Sequence, residues 1–405
     1  MKLSVAYTFD PGLVAKLSKY PEVYEVFGKL TRDIVGGGRS SYTLRRINES
    51  AIRKTVHEAH KYNIQFNYLL NGATLNGIEQ TRKGQRKLRN LLEFLLLSDV
   101  DSLTVASPYL LRLIKKQYPK FKVRASVFAM VATPDKARQW EDMGADTICI
   151  SAIATNRNFK NLEKMKRSVS CELQLIANAS CLADCSHEIT HMNMLTNSSR
   201  ANDRNKGFCL DYCFLNCSKK RLEDPVNFIK SVWIRPEDIH VYEDLGFSNF
   251  KILERSCPTE LLIRRVDAYV NREFNGNLLE LVAPVAHIKK EQDASLSQRL
   301  RVIFSMFKPS KVKISTLLAT KEYMEQVILH DFDKLTTPIY IDNKKLDGFL
   351  KEIMTRDCKN SLCSECSYCN SIASKQVVYN EDYRVKILKL AQELDKGLIS
   401  SSHWL

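Results

Sequence analysis

The sequence predicts an α/β protein: a (β/α) TIM-like barrel over residues 1–290, followed by a smaller cysteine-containing α+β domain over residues 291–405. Three observations carry this. Short apolar strands alternate with amphipathic helices through the first two-thirds of the chain. Repeat units of this length imply parallel strands, because each strand needs a crossover helix to return. After Leu281-Val282-Ala283-Pro284 the texture changes to a polar connection, Lys289 to Ser297, and then to a mixed segment. With 405 residues, the chain is long enough for one large domain and a smaller one.

The elements run in order. A helix from about Asn48 to Tyr62 leads to a strand at Ile64–Leu70, and a helix at Lys83–Leu97 leads to a strand at Ser102–Ala106. A helix near Tyr109–Gln117, a strand at Lys122–Ser126, a helix at Pro134–Met143 and a strand at Thr147–Ile150 follow. Next come a helix at Asn158–Lys166 and a strand at Cys171–Ala177. The segment His187–Gly207 is polar and Asn-rich and reads as a long functional loop. The pattern resumes with Ser231–Ile234, a helix at Pro236–Leu245, a strand at Asn249–Ile252 and a helix at Cys257–Phe274. A continuous series of this kind favours a closed barrel over an open sheet. The tail holds Pro338–Asp342, a second group of cysteines and a final helix at Asp382–Leu394.

Composition narrows the function. The 61 Lys and Arg against 46 Asp and Glu give a net charge of +15, which favours polyanionic partners such as RNA. The basic residues are spread out except at Arg82–Arg89, a run that also suits a solvated helix face. The longest apolar run, around Leu91–Leu97, is too short to span a bilayer, so no membrane insertion is expected. The opening Met1-Lys2-Leu3-Ser4 lacks the apolar core of a secretory leader, so a cytoplasmic protein with reduced thiols is expected.

Nine of the twelve cysteines fall into two groups. Cys209, Cys213 and Cys217 are spaced four apart, so on a helix their sulfurs share a face. Cys181 and Cys185 repeat the spacing after a strand end, where a barrel carries its working residues. Thiolates in such runs hold iron–sulfur clusters; five thiols exceed one cluster's need, and Cys257 is a sixth candidate. The tail group, Cys358, Cys363, Cys366 and Cys369, supplies four thiols within twelve residues, a set that fits a second iron–sulfur cluster or a structural zinc. Between the groups, His187-Glu188-Ile189-Thr190-His191 satisfies the zinc-protease pattern, but Met192-Asn193-Met194-Leu195-Thr196 does not continue it as a metzincin would. The favoured role for His187 and His191 is hydrogen bonding or proton transfer near a metal centre.

Particular stretches carry a family resemblance. Gly36-Gly37-Gly38-Arg39-Ser40-Ser41, Asn71, Val123-Arg124-Ala125-Ser126, the Trp140–Asp146 turn and Phe250-Lys251-Ile252-Leu253-Glu254-Arg255 resemble, over about residues 20–280, the collagenase-like peptidase family U-32. Cys181, and Cys209 with Cys213, fall on cysteine positions of that family. Tyr212 replaces its proline, Asn178-Ala179-Ser180 replaces its His-Gly, Cys185 and Cys217 are additional, and Ile239 stands where some members carry a ligand cysteine. The tail from Ile341 through Cys369 resembles a four-cysteine tail of a less characterised branch. The resemblance implies a barrel holding a four-iron four-sulfur (4Fe-4S) cluster and oxygen-independent hydroxylation, which other branches perform on ubiquinone precursors, tRNA or rRNA. It implies Arg39 and Arg255 as substrate-orienting residues, with His187 and His191 beside them. It also leaves room for an electron donor, a paralogous partner subunit, and a small-molecule, peptide or RNA substrate. A non-catalytic electron-transfer subunit and a metal-dependent peptidase are the alternatives.

Overall fold

In a computed structural model, residues 1–41, 44–203, 209–284, 312–329, 331–358 and 360–403 are described. Eight parallel strands close into a barrel in chain order: β1 Lys2–Ala6, β2 Val23–Gly28, β3 Gln65–Leu70, β4 Ser102–Val105, β5 Lys122–Ala125, β6 Thr147–Cys149, β7 Glu172–Ile176 and β8 Asn249–Ile252. Pairing of β1 with β8 completes the ring, with Leu3 opposite Phe250 and Val5 opposite Ile252. The TIM-like expectation holds. Strands β1 and β2 are additions to the elements read from the sequence.

Helices flank the barrel as their apolar faces require. Glu49–Lys61 begins at Asn48, whose side chain accepts the Ala51 N–H, and buries Ile52, Val56 and Ala59. Arg82–Leu96 begins at Thr81 and buries Leu88, Leu92 and Leu95. Its Arg82, Lys83 and Arg86 stay exposed, as the basic run required. Such side-chain caps satisfy backbone donors that a helix leaves free in its first turn.

Two sequence readings are corrected. The segment read as the long loop His187–Gly207 contains a helix, Glu188–Ser198, which buries Met192, Leu195, Thr196 and Ser198; residues 204–208 lie outside the described ones. Its buried face is partly hydroxyl and small, which hides the apolar period. Ser231–Ile234, apolar enough to pass for a strand, is not one. It is held as an extended lining by Ile234 N–H donating to Ala177 O at 2.8 Å and Trp233 Nε1 donating to Phe228 O at 2.9 Å.

The lower half of the barrel interior is polar, whereas branched apolar side chains dominate the usual barrel core. Arg124 of β5 donates to both oxygens of Glu25 on β2, at 2.7 and 3.0 Å. Glu25 also accepts from Ser4 of β1 at 2.5 Å and Ser102 of β4 at 3.1 Å. Asn67 and Thr104 extend the network, and Tyr24 links it to Asn249 and thence to Gln174. Bonds between strands as far apart as β2 and β5 are possible only across the interior. The apolar core therefore lies mainly between strands and helices.

The expected boundary at residue 290 lies outside the described residues. Beyond it, β9 Ile339–Ile341 pairs antiparallel with β10 Val377–Tyr379, among the helices Ile314–Val327, Phe349–Met354, Tyr368–Gln376 and Glu381–Ile399. This cysteine-bearing tail is stitched to the barrel. Asn277 bonds Ile339 O and Ile341 N, and the buried Arg235 donates to Asn343 O at 2.7 Å and to Asp347 at 3.0 Å. Tyr323 OH meets Ser218 Oγ at 2.6 Å, placing the tail against the helix Tyr212–Glu223.

Burial pushes the Glu25 carboxyl upward, but Arg124 outweighs it and holds the group below the ordinary carboxylate range. The pair's contribution is thus present above that range and lost as pH falls through the lowered value. Arg124→Met leaves Glu25 buried and unpaired, so a loss of about 3–5 kcal/mol and a Tm lower by about 4–6 °C are expected. The double variant Glu25→Leu/Arg124→Met should recover most of that loss. Thermal unfolding followed by circular dichroism checks both, and an unchanged Tm in Arg124→Met would refute the pair as the barrel's strut.

Candidate metal centre and barrel mouth

The first cysteine group is assembled at the C-terminal end of the strands from two segments. After β7, Asn178 pins the chain to the end of β8, accepting the Leu253 N–H at 2.7 Å and donating to Leu253 O at 3.2 Å. This is the position where the sequence departs from His-Gly. The loop then turns through Asp184, held at φ 47°, a left-handed conformation that aspartate tolerates better than most residues. That turn brings Cys185 back beside Cys181.

The other segment is the helix Tyr212–Glu223. Its first turn is capped by Asp211, which accepts the Phe214 N–H at 2.9 Å. Cys213 and Cys217 lie one turn apart on this helix, and the positive end of its dipole favours thiolate near Cys213. Arg221, one turn further on, places a guanidinium N–H 3.5 Å from Cys217 Sγ and also donates to Ser180 O, next to Cys181.

The electrostatics sort the five thiols. Desolvation pushes Cys181 up to about 11; Arg221 opposes this, while Cys217 and Cys185 add to it. Cys213 is pushed up to about 12, first by burial and then by Asp211, Cys185 and Cys217. Cys217 is likewise raised by burial, against Arg221, and feels Cys185. Cys185 and Cys217 bear on both Cys181 and Cys213, which groups these four. Cys209 sits to one side, pushed up to about 12 by burial and Asp211, with Ser40 as hydrogen-bond partner and Cys213 its nearest thiol influence. Cys257 is buried in the main apolar core, where burial also pushes it up to about 12.

Among the described residues no three His, Cys, Asp or Glu side chains converge on a point able to grip a single metal ion. The donor set of the quartet nevertheless fits a larger thiolate-bound group. Two short segments supply four soft ligands at one end of the barrel, with the Arg221 guanidinium beside Cys217.

The histidines do not pair on one ion. His187 Nε2 lies 2.5 Å from Asn216 Nδ2, and His191 Nε2 lies 3.2 Å from Asp211 Oδ2. Both clamp the helix Glu188–Ser198 to the cysteine-bearing helix. Glu188 between them is half-buried, with its carboxyl raised by burial and its Oε1 shielded without a hydrogen-bond partner.

The Gly36–Gly38 segment forms another side of the mouth and is built around Asp33. One Asp33 oxygen accepts the Val35 and Gly36 N–H groups, at 2.9 and 2.7 Å. The other accepts from Tyr68 OH at 2.8 Å and pairs with buried Lys29 at 2.9 Å. Gly36 has φ +80°, and a Cβ there would lie 2.4 Å from Thr196 O, so only glycine fits. At Gly37 a Cβ would lie 2.9 Å from Asn71 Oδ1, an oxygen that is itself buried without a hydrogen-bond partner.

Arg39 is not a free cation: it bonds Glu254 at 2.7 Å, and Glu254 also accepts from Ser256 at 2.6 Å. Arg255 is buried close by and lowered to about 10 by desolvation and by Arg39. Deeper in, Lys251 lies buried with its ammonium 4.0 Å from the Phe27 ring centroid. Desolvation lowers it to about 8, opposed by Cys149. Lys29, Tyr68, Arg221 and the ammonium of Lys251 are site features that sequence reasoning did not single out. Lys251 stood within the Phe250–Arg255 stretch, whose inward alternation was the available signal.

A protein from Methanocaldococcus jannaschii named uncharacterized protease MJ1657 is 29% identical over 360 residues, covering 89% of this chain and 90% of its own length. The tRNA hydroxylation protein P of Escherichia coli is 21% identical over 277 residues, 64% of this chain and 56% of that protein. The solved structure of the U32 peptidase Mk0906 is 21% identical, covers 64% of this chain and 94% of its own, and aligns with a TM-score of 0.47. The model of peptidase family U32 matches residues 30–275, well over half of the chain, and the protein belongs to that family.

Proposed function

We propose that this chain is an iron–sulfur enzyme that modifies an anionic substrate by oxygen-independent hydroxylation or related redox chemistry. The observation that carries the reading is the quartet Cys181, Cys185, Cys213 and Cys217, gathered at the mouth of a barrel beside buried cations. A cluster held there would supply one-electron redox chemistry and iron able to activate an oxygen donor.

The chain's own groups have separable roles in this reading. Arg221 offsets negative charge on Cys217 and ties the Cys181 loop to the cysteine-bearing helix. His187 and His191 set that helix against its neighbour. Lys251 and Arg255 supply a positive, water-poor mouth for an anion, where charge interactions are stronger than in bulk water. Arg39, neutralised by Glu254, orients. Glu188, kept protonated more readily by burial, is placed to hold a proton near the thiols. Cys209 stands outside the quartet.

A peptidase reading finds less support, since His187 and His191 are engaged by Asn216 and Asp211 rather than turned to one ion. RNA is the first anion to test, given the net charge of +15 and the exposed Arg82, Lys83 and Arg86 at the mouth-side start of the helix after β3.

Anaerobic purification with iron and acid-labile sulfide analysis tests the centre. Cys213→Ser should lose about four irons per chain, the complement of one cubane cluster, whereas Cys209→Ser should lose none. Zinc as the only metal, accompanied by peptide cleavage, would end this reading. For the substrate, tRNA binding measured by filter retention should weaken steeply with salt. Lys83→Glu/Arg86→Glu should reduce the salt slope by about two. No retention at low salt would exclude RNA and leave a small anion.

A further inference from the structure

The tail cysteines share their cavity with a residue of the barrel side. Cys358, Cys363, Cys366 and Cys369 line a space of about 350 Å³ together with Lys230, and Tyr368 forms part of the same wall. Lys230 ends the short helix Val226–Ile229, which packs against Tyr368–Gln376, the helix that carries Cys369. Among the described residues no three of these thiols converge on one point. As a donor set, four thiols on one cavity suit zinc and an iron–sulfur cluster alike. The ligands of either centre depend on hydrogen-bonding groups placed just behind them.

Arg157 reaches this place from the barrel. It lies between the helices Ala152–Thr155 and Phe159–Ser168, and its Nη1 donates at 2.6 Å to the carbonyl of Ile229, the residue before Lys230. Its guanidinium lies over Trp233 and Phe349, 4.3 and 5.1 Å from the ring centroids. Phe349 in turn stacks on Tyr368, with centroids 5.7 Å apart and planes 10° apart. Arg157 is thus brought to the cavity wall twice, once through Ile229 and once through Phe349. Cys369 and Cys358 are the thiols whose charge bears on it. Its Nε and Nη2 are shielded from water and have no hydrogen-bond partner. Buried donors left idle are costly and rare in native proteins. The rings engage the flat face of the guanidinium, which leaves the N–H edge for an anion.

We propose that Arg157 is the donor standing behind the tail thiolates. Cys358 and Cys369, once they ligate a metal, become the anionic partners of its idle N–H groups, so metal loading fastens the tail to the barrel at residues 226–233. The effect is reciprocal: whatever the metal adds to docking, docked Arg157 adds to metal affinity. The clasp works equally for zinc and for a cluster, and it does not rest on the barrel thiols.

The experiment uses the full chain, purified anaerobically, as wild type, Arg157→Met, Arg157→Lys and Cys363→Ser/Cys366→Ser. The tail metal is the zinc or iron that wild type holds and the cysteine variant lacks. The probe is 1,10-phenanthroline, which takes both zinc and ferrous iron, and the metal released by the cysteine variant is subtracted. Arg157→Met should lose its tail metal at about 10–100-fold lower chelator concentration than wild type. Arg157→Lys keeps the charge but not the fork of donors; it should fall between them, and it serves alone if Arg157→Met fails to fold. Loading should raise the Tm of wild type, and the increment should shrink in Arg157→Met, whereas a residue that only packs would shift loaded and stripped protein equally. Hydrogen exchange over residues 226–233 should be at least about tenfold faster in the cysteine variant, with β3 to β5 unchanged. Equal chelator sensitivity and an equal Tm increment in Arg157→Met and wild type would overturn the role of Arg157. Unchanged exchange over 226–233 would overturn the clasp. Identical zinc and iron contents in wild type and the cysteine variant would overturn the tail centre itself.

Discussion

The Glu25–Arg124 pair is the constraint around which the rest of the barrel is arranged. A buried pair is worth little to stability unless its remaining polar atoms are satisfied. Here Ser4, Ser102 and Tyr24 supply partners from three different strands, and only Arg124 Nε is left without one within the pair. The same bonds fix which residue of each strand points inward, because a slip of one residue turns every side chain to the other face. With that register set, Lys251 two residues above Asn249 also points inward, and the strand ends present Cys149, Phe27 and Leu253 to the mouth. The polar lower half thus positions the functional upper half.

This arrangement explains what was legible in the sequence and what was not. Strands β3 to β8 and most of their helices could be read because their outward faces are apolar and packed on helices with clear caps. Strand β2 carries Glu25 in mid-strand, and β1 is short and starts at the second residue; a buried charge at such a position reads as solvent-facing. The helix Glu188–Ser198 escaped for a related reason. It packs against the Gly36–Gly38 segment through hydroxyls, with Ser199 Oγ accepting the Gly37 N–H at 2.8 Å and Ser198 meeting Ser40 at 2.9 Å. Contacts of that kind leave no hydrophobic period.

At the site, cysteine spacing located the chemistry but could not choose among five thiols. Spacing on one helix cannot distinguish Cys209, which precedes the helix, from Cys213 and Cys217, which lie on it. The arginines show the converse limit. Arg39 looked like a free clamp, yet Glu254, only one residue before Arg255, neutralises it. Lys29 is likewise paired, with Asp33, and Lys251, a buried cation left at the mouth, is one that composition counts only as part of the net charge.

The two cysteine sets differ in how the fold prepares them, and that difference bears on their roles. Cys181, Cys213 and Cys217 are raised by burial, so loading them must expel protons. Helix packing, the histidine clamps and Arg221 pre-position them for that cost. The tail thiols sit on a short surface turn, and Cys366 is lowered by the Tyr368 N–H and by Arg356. Cys358 and Cys369 are raised by burial, so the tail set differs chiefly in exposure, with Cys358, Cys363 and Cys366 open to solvent. The fold thus shelters one cysteine set at the barrel mouth behind packed helices and leaves the other on a surface turn, so the two sets differ in access rather than in ligand type.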